Sequence, residues 1–277
     1  MTLRQTWVAA AVEALASAGV PDPMRDARLL LRWALSAPPE DVHQILRQEG
    51  TADEQTKFRT AIARRAKREP LSHIIGTRLF WDRAFQVSSA VLDPRPETET
   101  LIAEALHRGP FDRVLDLGTG SGCLLITLLA EWPEATGTGV DMSGAALAVA
   151  RDNACRHDVA ERCEWREGDW VRGLDREYDL IVSNPPYLAD AELAEVSPEV
   201  RNFEPHAALL AGPDGLDAYR RIADTAGTVL APHGLLMLEI GATQSETVSA
   251  VLVNAGWCIR SLIPDLDQRP RVIVAVL

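Results

Sequence analysis

The sequence predicts an α/β protein in which a mostly parallel sheet follows a small bundle of helices. From about residue 94 onward, short apolar runs alternate with amphipathic segments, as in a parallel sheet that helices cover on both faces. The residues before it show mainly helical periodicity, interrupted by prolines. The 277 residues suffice for one large and one small domain. We therefore expect a helical bundle over 1–70, a β-hairpin linker over 71–93 and an α/β domain over 94–277.

The bundle is predicted to contain four helices. Gly19 is a plausible stop for the first, Pro38 ends the second, and Pro70 follows the fourth. Four cations end the fourth helix, either as a solvated helix end favoured by the dipole or as a contact for a partner. These cations are Arg64, Arg65, Lys67 and Arg68, and the predicted helices cover 6–18, 26–35, 41–47 and 53–67.

The second part alternates strand and helix after the hairpin, which we place around Leu79 and Phe85. The loop between the last two strands is too short for a helix, so these strands should be antiparallel. Predicted strands cover 113–117, 136–140, 163–167, 179–183, 234–240, 257–263 and 271–277. Predicted helices cover 97–107, a stretch ending near 130, 143–157, 217–230 and 243–255.

The charge is distributed unevenly. Residues 1–88 carry 13 basic and 10 acidic side chains, whereas residues 89–277 carry 15 and 30. Such an acidic second part is a poor partner for a phosphate backbone, so we expect no direct binding of nucleic acid. No apolar run approaches the ~20 residues of a membrane span, and no signal peptide is visible. We expect a cytoplasmic protein with reduced cysteines and no metal, because the four cysteines form no C-x-x-C pair.

A glycine-rich turn follows the first strand of the α/β part. Glycines at such a turn allow the backbone to approach a ligand, although a tight turn alone would also use them. In open α/β sheets the ligand lies outside the carboxyl ends of the strands, where this turn falls. The stretch comprises Asp116, Gly118, Thr119, Gly120, Ser121 and Gly122.

Polar residues also end the next two strands. Asp141 ends the second strand, where it could accept both hydroxyls of a ribose or simply cap a helix. Asp169 and Trp170 follow the third, where the carboxylate could take an adenine amino group while the indole packs on the base. Trp170 could equally be core packing.

Asn184-Pro185-Pro186-Tyr187 follows the buried strand 179–183 directly. Two prolines stiffen the loop and remove two backbone donors. The carbonyls and the Asn184 amide then remain for polar contact, and Tyr187 adds a flat aromatic face. Such a pocket suits a planar carboxamide or a ring amino group, although Asn184 alone would usually be turn chemistry.

Together these residues resemble the class I S-adenosylmethionine-dependent methyltransferases, which are Rossmann-like with a C-terminal antiparallel strand. Asn-Pro-Pro-Tyr is similar to the loop of members that methylate planar amide or amino nitrogens. The chain most resembles, almost end to end, the protein-glutamine methyltransferases of bacterial peptide chain release factors. Pro94-Arg95-Pro96-Glu97-Thr98-Glu99 is the discriminating stretch. The other stretches that carry the resemblance are Arg64-Arg65, Glu69 to Gly76, Phe80-Trp81, Asp116 to Gly122, Asn184 to Tyr187 and Phe203-Glu204-Pro205.

This resemblance implies direct, in-line methyl transfer from S-adenosylmethionine to the amide nitrogen of the glutamine in a release factor's Gly-Gly-Gln motif, leaving S-adenosylhomocysteine. Asn184, Pro185 and Tyr187 would be catalytic: the Asn184 oxygen and Pro185 carbonyl accept the two N–H bonds, and Tyr187 fixes the amide plane. Pro186 would join them in binding the substrate. The cofactor would be held by Asp116, Gly118, Thr119, Gly120, Ser121, Gly122, Asp141, Asp169, Trp170 and Asn184.

The implied partner is a release factor. We expect the present protein to be a monomer. The bundle would dock it or would only stabilise the catalytic domain. The chain departs from the family pattern at Asp93 and in the loop 265–271, which lacks a glycine and carries Pro270.

Other functions stay open from the residues alone. An N-methyltransferase acting on a ribosomal protein glutamine, or on an exocyclic amino group of nucleic acid, would use the same loop, although the acidic second part disfavours nucleic acid. A binding protein without catalysis and a nicotinamide enzyme are further alternatives.

Overall fold

The computed structural model describes residues 3–38 and 42–277. It divides into two compact units. The first comprises Met1–Gly76 with Ser197–Phe203, and the second comprises Thr77–Val196 with Glu204–Leu277. The chain therefore leaves the second unit after Val196 and returns to it at Glu204.

The helices of the described residues are α1 (Arg4–Ser17), α2 (Pro23–Leu35), α3 (Val42–Leu46), α4 (Ala52–Ala66), α5 (Leu71–Ile75), α6 (Glu99–Arg108), α7 (Cys123–Glu131), α8 (Gly144–Arg156), α9 (Pro198–Phe203), α10 (Asp217–Thr225) and α11 (Ser245–Asn254). The strands are β1 (Thr77–Phe80), β2 (Arg83–Gln86), β3 (Arg113–Leu117), β4 (Thr136–Asp141), β5 (Cys163–Glu167), β6 (Tyr178–Ser183), β7 (Leu230–Glu239), β8 (Cys258–Pro264) and β9 (Pro270–Val276).

The helices of the first unit start at side-chain caps and pack around an apolar core. Asp22 accepts a hydrogen bond from the Arg25 N–H at the start of α2. Thr51 and Glu54 form a capping box at the start of α4. The fully buried core includes Leu15, Leu30, Leu31 and Phe58. In the predicted third helix, α3 begins at Val42, while Asp41 and the preceding Pro39 lie outside the described residues.

The predicted hairpin is present but shorter than the segment 71–93. Its strands β1 and β2 pair antiparallel from Thr77 to Gln86. The residues before it form α5, because Pro70 starts a helical turn with its fixed φ and Gly76 ends that turn at φ 85°. The start of the expected linker is therefore helical.

The basic patch at the end of α4 is matched by carboxylates of the chain itself. Arg65, itself buried, donates to Asp26 at 2.7 Å and to Glu199 at 2.9 Å. Arg68 donates to the same Glu199 through two nitrogens at 2.7 Å, and Arg64 pairs with Glu69. Three of the four cations therefore form ion pairs within the first unit. The sequence had suggested only a solvated helix end or a contact for a partner.

The second unit holds a seven-stranded sheet within the described residues, in the order β5-β4-β3-β6-β7-β9-β8. The strands from β5 to β7 are parallel, and β9 runs antiparallel to both β7 and β8. Apolar clusters lie on both faces. The predicted fold class is confirmed, including the antiparallel last pair.

Two elements differ from the prediction. The helix expected over 217–230 ends as α10 at Thr225, passes through a 3₁₀ turn over Ala226–Thr228, and gives way to β7 at Leu230. Gly227 and the β-branched Thr228 and Val229 disfavour a continued helix. The helix expected from residue 97 begins as a 3₁₀ turn, Pro96–Thr98, before α6.

No helix in the described part of the chain is both long and apolar enough to cross a bilayer.

Candidate active site

A cleft of about 410 Å³ opens at the carboxyl ends of the parallel strands. Its volume falls in the range of small-molecule sites, and its position follows the general rule for open α/β sheets. All of its lining residues belong to the second unit. Those that the sequence predicted are Gly118, Thr119, Gly120, Ser121, Asp141, Asp169, Trp170, Asn184 and Pro186.

The glycine-rich turn bends the chain and also leaves space for a ligand. Gly118 and Gly120 have φ of 71° and 54°, in the left-handed region. A Cβ placed on either would meet no protein atom closer than 4.0 Å. Gly122 serves packing instead, because a Cβ there would lie 2.8 Å from Cδ1 of Ile126 in the first turn of α7.

Asp116 lies behind this turn rather than in the wall of the cleft. Its Oδ2 accepts a 2.6 Å hydrogen bond from the Thr119 hydroxyl, and its buried Oδ1 has no partner. Burial raises the pKa of Asp116 to about 7, against the opposing effect of the Thr119 hydrogen bond. The protonation state of such an acid changes when a hydrogen-bond donor or a cation is placed near it.

Asp141 holds the turn from the neighbouring strand. Its Oδ2 accepts from the Gly120 N–H and its Oδ1 from the Ser143 N–H, both at 2.9 Å. The N-cap of α8 is Ser143, whose hydroxyl accepts from the Ala146 N–H, so the capping role considered for Asp141 is wrong. Each carboxylate oxygen keeps a further lone pair for a ligand hydroxyl.

Asp169 and Trp170 both reach the cleft, in different environments. Asp169 is exposed and forms an ion pair with Arg221, which also lines the cleft and which the sequence did not suggest. Trp170 is half-buried, has φ 54°, and packs against the apolar cluster of one sheet face. The indole therefore serves core packing and the cleft wall together.

The Asn184 amide is partly satisfied and partly free. Its Nδ2 donates to the Thr98 hydroxyl at 3.1 Å. Its Oδ1 is buried and has no hydrogen-bond partner. Because an unpaired buried acceptor costs free energy, this oxygen is prepared for a donor that comes with a ligand.

The rest of the Asn-Pro-Pro-Tyr loop supports this amide. Pro186 lines the cleft, whereas Pro185 is buried and Tyr187 is half-buried, and neither lines it. The Tyr187 carbonyl accepts from Nε2 of Gln244 at 2.9 Å. Burial, followed by the nearby charge of Glu239, raises the pKa of Tyr187 and so keeps its phenol neutral.

Glu239 is a buried acid that the sequence interpretation missed. It ends β7 beside Asn184, since Ser183 and Leu238 are paired in the sheet, and it is 1% exposed. Its Oε2 has no hydrogen-bond partner. Burial raises the pKa of Glu239 to about 7, opposed by the nearby Thr98 hydroxyl. An acid ending a strand next to the Asn-Pro-Pro-Tyr strand could have signalled it.

The polar residues of the Pro-Arg-Pro-Glu-Thr-Glu stretch each contact a different part of the second unit. Arg95 donates to both carboxylate oxygens of Glu204, at 2.8 and 2.6 Å. Glu99 accepts from the Trp81 N–H at 2.9 Å. Thr98 reaches Asn184, as described above. The stretch therefore ties the hairpin, the Asn-Pro-Pro-Tyr loop and the segment beginning at Glu204 to one turn.

That segment forms a wall of the cleft that sequence interpretation left undescribed. Between Pro205 and Gly212 it contributes several small residues to the lining. It is held to the Asn-Pro-Pro-Tyr loop by backbone hydrogen bonds from Leu188 to Leu209 and from Ala211 to Leu188, both 2.9 Å. Phe203-Glu204-Pro205, already noted for its resemblance, was the available signal.

The two departures from the family pattern have clear structural places. Asp93 is buried and lines the cleft. In the loop before β9, Asp265 accepts from the N–H groups of Asp267 and Arg269 at 2.9 and 3.0 Å. Gln268 takes φ 63°, the conformation that glycine would otherwise supply. Within residues 3–38 and 42–277 no group of His, Cys, Asp or Glu is arranged to hold a metal ion.

Comparison with known proteins agrees with this architecture. Residues 6–76 match the family model described as the PrmC N-terminal domain, and residues 88–200 match the methyltransferase small domain. A release factor glutamine methyltransferase of Cereibacter sphaeroides is 50% identical, with 97% of this chain and 96% of that protein covered. One from Caulobacter vibrioides is 42% identical, with 100% and 96% covered.

The chain belongs to the release factor glutamine methyltransferase family. The resemblance predicted from the sequence is confirmed. A crystal structure of a methyltransferase from Pyrococcus furiosus shares the fold, with a TM-score of 0.53 at 14% identity over 71% of this chain and 89% of that one. Release factor glutamine methyltransferases at this level of identity match the present chain in the bundle as well as in the α/β unit.

Proposed function

We propose that this protein methylates the side-chain amide nitrogen of the glutamine in the Gly-Gly-Gln motif of peptide chain release factors, with S-adenosylmethionine as methyl donor. Membership of the family and the names of its relatives support the substrate. The observation that carries the proposal is the Asn184 amide, whose nitrogen is engaged by Thr98 while its buried oxygen has no partner. A glutamine amide supplies the N–H donor that this oxygen lacks.

The residues of the cleft fit the cofactor. When bound, S-adenosylmethionine supplies an electrophilic methyl group on a sulfonium. Asp141 would accept the ribose hydroxyls with its remaining lone pairs, and Trp170 with Asp169 would bound the adenine. The open backbone at Gly118 and Gly120 would receive the methionine part, with Thr119, Ser121, Gly122 and the poised Asp116 behind it.

The work of the protein is then to orient the substrate. Oδ1 of Asn184 and the Pro185 carbonyl would accept the two amide N–H bonds, which draws electron density toward the nitrogen. Tyr187, neutral and held through its carbonyl by Gln244, would fix the amide plane. Orientation of this kind can lower a barrier by ~7–11 kcal/mol. We also propose that the protein acts as a cytoplasmic monomer on a protein substrate and not on nucleic acid.

The test is mass spectrometry of a purified release factor after incubation with the enzyme and S-adenosylmethionine. We expect one added methyl group on the Gly-Gly-Gln glutamine. Asn184→Ala should fold and lose roughly a hundredfold in rate, since one aligned polar contact can be worth this much. Its affinity for the cofactor should not exceed that of the wild type. Labelled methyl found on DNA, on rRNA or on a ribosomal protein, with none on the release factor, would refute the proposal.

A further inference from the structure

A buried asparagine links the glycine-rich turn to the hairpin. Asn153 lies on α8 and is fully buried. Its Oδ1 accepts from the Gln86 N–H at 2.7 Å, and its Nδ2 donates to the Gln86 carbonyl at 3.1 Å. The same Nδ2 donates to the Ser121 carbonyl at 2.9 Å. One side chain therefore joins three elements of the second unit: a helix, a strand of the hairpin and the turn in the wall of the cleft.

These contacts determine which way the Asn153 amide faces. An amide oxygen can only accept hydrogen bonds, and the NH₂ group can only donate them. Because the Gln86 N–H is a donor and both carbonyls are acceptors, only this orientation satisfies all three backbone groups. The two hydrogens of the NH₂ group can then serve one carbonyl each. The arrangement is complete without a ligand, as expected of a residue that supports a site from behind.

The Ser121 carbonyl is one of two anchors of the turn on the side of the cleft. The other is the Gly120 N–H, which Asp141 holds at 2.9 Å. Between these anchors lies the Gly120–Ser121 peptide, whose two residues line the cleft. Neither its carbonyl nor its N–H has a backbone hydrogen bond within residues 3–38 and 42–277. This peptide therefore depends on Asp141 and Asn153 for its position.

Glycines make the turn flexible, so losing an anchor would change its conformation. Ser121 is 2% exposed, and without the donor from Asn153 its carbonyl would be buried and unpaired. An unpaired buried acceptor favours any conformation that returns it to water. The conformation that fits a ligand would then be only partly populated, and the affinity for the ligand would fall by that fraction.

We propose that Asn153 is a positioning residue for the cofactor, which holds the Ser121 end of the turn in the conformation that receives S-adenosylmethionine. The inference rests on the proposed function, in which this turn receives the methionine part of the cofactor. Asn153 itself does not line the cleft. It acts through Ser121, and its own position is fixed by the backbone of Gln86 in the hairpin.

The experiment measures S-adenosylmethionine binding to the full-length protein by titration calorimetry, for the wild type and for Asn153→Ala. Because the variant lacks the donor to Ser121, we expect its Kd to rise roughly tenfold, as if about a tenth of the molecules held the competent turn. At saturating S-adenosylmethionine, kcat with a release factor should stay close to wild type, because the bound cofactor selects the competent turn.

The matched control is His157→Phe. His157 also joins α8 to the hairpin, since its Nε2 donates to the Ala84 carbonyl at 3.1 Å, a bond that does not involve the turn. Phenylalanine keeps a ring against Phe85, whose centroid lies 4.8 Å from that of His157, and removes the hydrogen bond. The affinity of this variant for S-adenosylmethionine should equal that of the wild type.

A second variant serves if Asn153→Ala folds poorly by circular dichroism. Asn153→Ser leaves space for a water that can satisfy the buried backbone groups. Its hydroxyl takes the place of the amide carbon and is too short to reach the Ser121 carbonyl. The Kd for S-adenosylmethionine should therefore rise in this variant as well.

Two results would overturn the inference while leaving the proposed function intact. One is wild-type affinity for S-adenosylmethionine in a folded Asn153 variant. The other is an equal loss of affinity in His157→Phe, which would assign the effect to the hairpin as a whole. A wild-type protein that binds no S-adenosylmethionine would instead overturn the proposed function, and this inference with it.

Discussion

Asp26 in the first unit and Asp116 in the second are both buried acids, but the protein treats them in opposite ways. Asp26 receives a charged hydrogen bond from Arg65 at 2.7 Å, and Arg65 in turn joins Arg68 at Glu199. Asp116 accepts a hydrogen bond from the Thr119 hydroxyl on Oδ2, and its buried Oδ1 has no hydrogen-bond partner. The first arrangement is complete without any ligand, whereas the second is incomplete.

The pKa values follow the same division. Burial would raise the pKa of Glu199 in the first unit, but the hydrogen bonds from Arg68 and Arg65 outweigh it and lower that pKa. In the second unit, burial prevails and raises the pKa values of Asp116 and Glu239 to about 7. Matched buried charge serves structure, and unmatched buried charge marks the site.

The largest expected effect is on the matched side. Arg65→Ala leaves Asp26 buried without its cation and removes one of the donors to Glu199, which should cost about 3–5 kcal/mol of unfolding free energy. Urea denaturation at pH 7 measures it. The control is Lys67→Ala, an exposed cation two residues along the chain, which should change stability by less than ~0.5 kcal/mol. Equal effects of the two variants would show that Arg65 is not needed to match the buried charge of Asp26.

The second prediction concerns the unmatched acid Asp116. Because its pKa is higher in the folded than in the unfolded protein, folded Asp116 binds a proton more tightly, and stability is lost as pH rises toward about 7. Asp116→Asn removes this loss. The variant should gain about 3 kcal/mol relative to wild type between pH 5 and pH 8, in the absence of ligand.

Urea midpoints across this pH range measure the gain. Asp224→Asn, at an exposed acid on α10, is the matched control and should follow wild type at every pH. If Asp116→Asn also follows wild type, the carboxyl is not held neutral by burial, and the comparison with Asp26 loses its basis.

The smallest expected effect on stability concerns two glycines of the second unit, one that lines the cleft and one that does not. Gly118 and Gly173 have φ of 71° and 79°, and neither has an atom within 4 Å of an added Cβ. Alanine at either should therefore cost about 1–2 kcal/mol from backbone strain alone. Only Gly118 lines the cleft, so only Gly118→Ala should also weaken S-adenosylmethionine binding in calorimetry. Similar affinities for the two variants would show that the turn does not contact the cofactor.

Much of this molecule was predictable because its signals are local. Strand-to-helix alternation, the glycine spacing and the Asn-Pro-Pro-Tyr loop each depend on neighbouring residues, and they gave the fold class and most of the cleft. The partners of Arg65, Arg95 and Thr98 lie far away in sequence, so no spacing rule could find them. Glu239 was missed for the same reason: as a single acid after an apolar run it looks like an ordinary strand end. The segment Pro205–Gly212 was missed because short 3₁₀ turns carry no periodic pattern.

The return of Ser197–Phe203 to the first unit has a consequence during synthesis. Glu199 follows Arg68 by 131 residues, so at ~5–20 residues per second the ribosome makes it roughly ten seconds later. Until then, Arg65 has its earlier partner Asp26, but the carboxylate that Arg65 and Arg68 share at Glu199 has not yet been made. The amino-terminal unit of this protein is thus finished only after most of the sheet has been translated, and its maturation on the ribosome is tied to that of the catalytic unit.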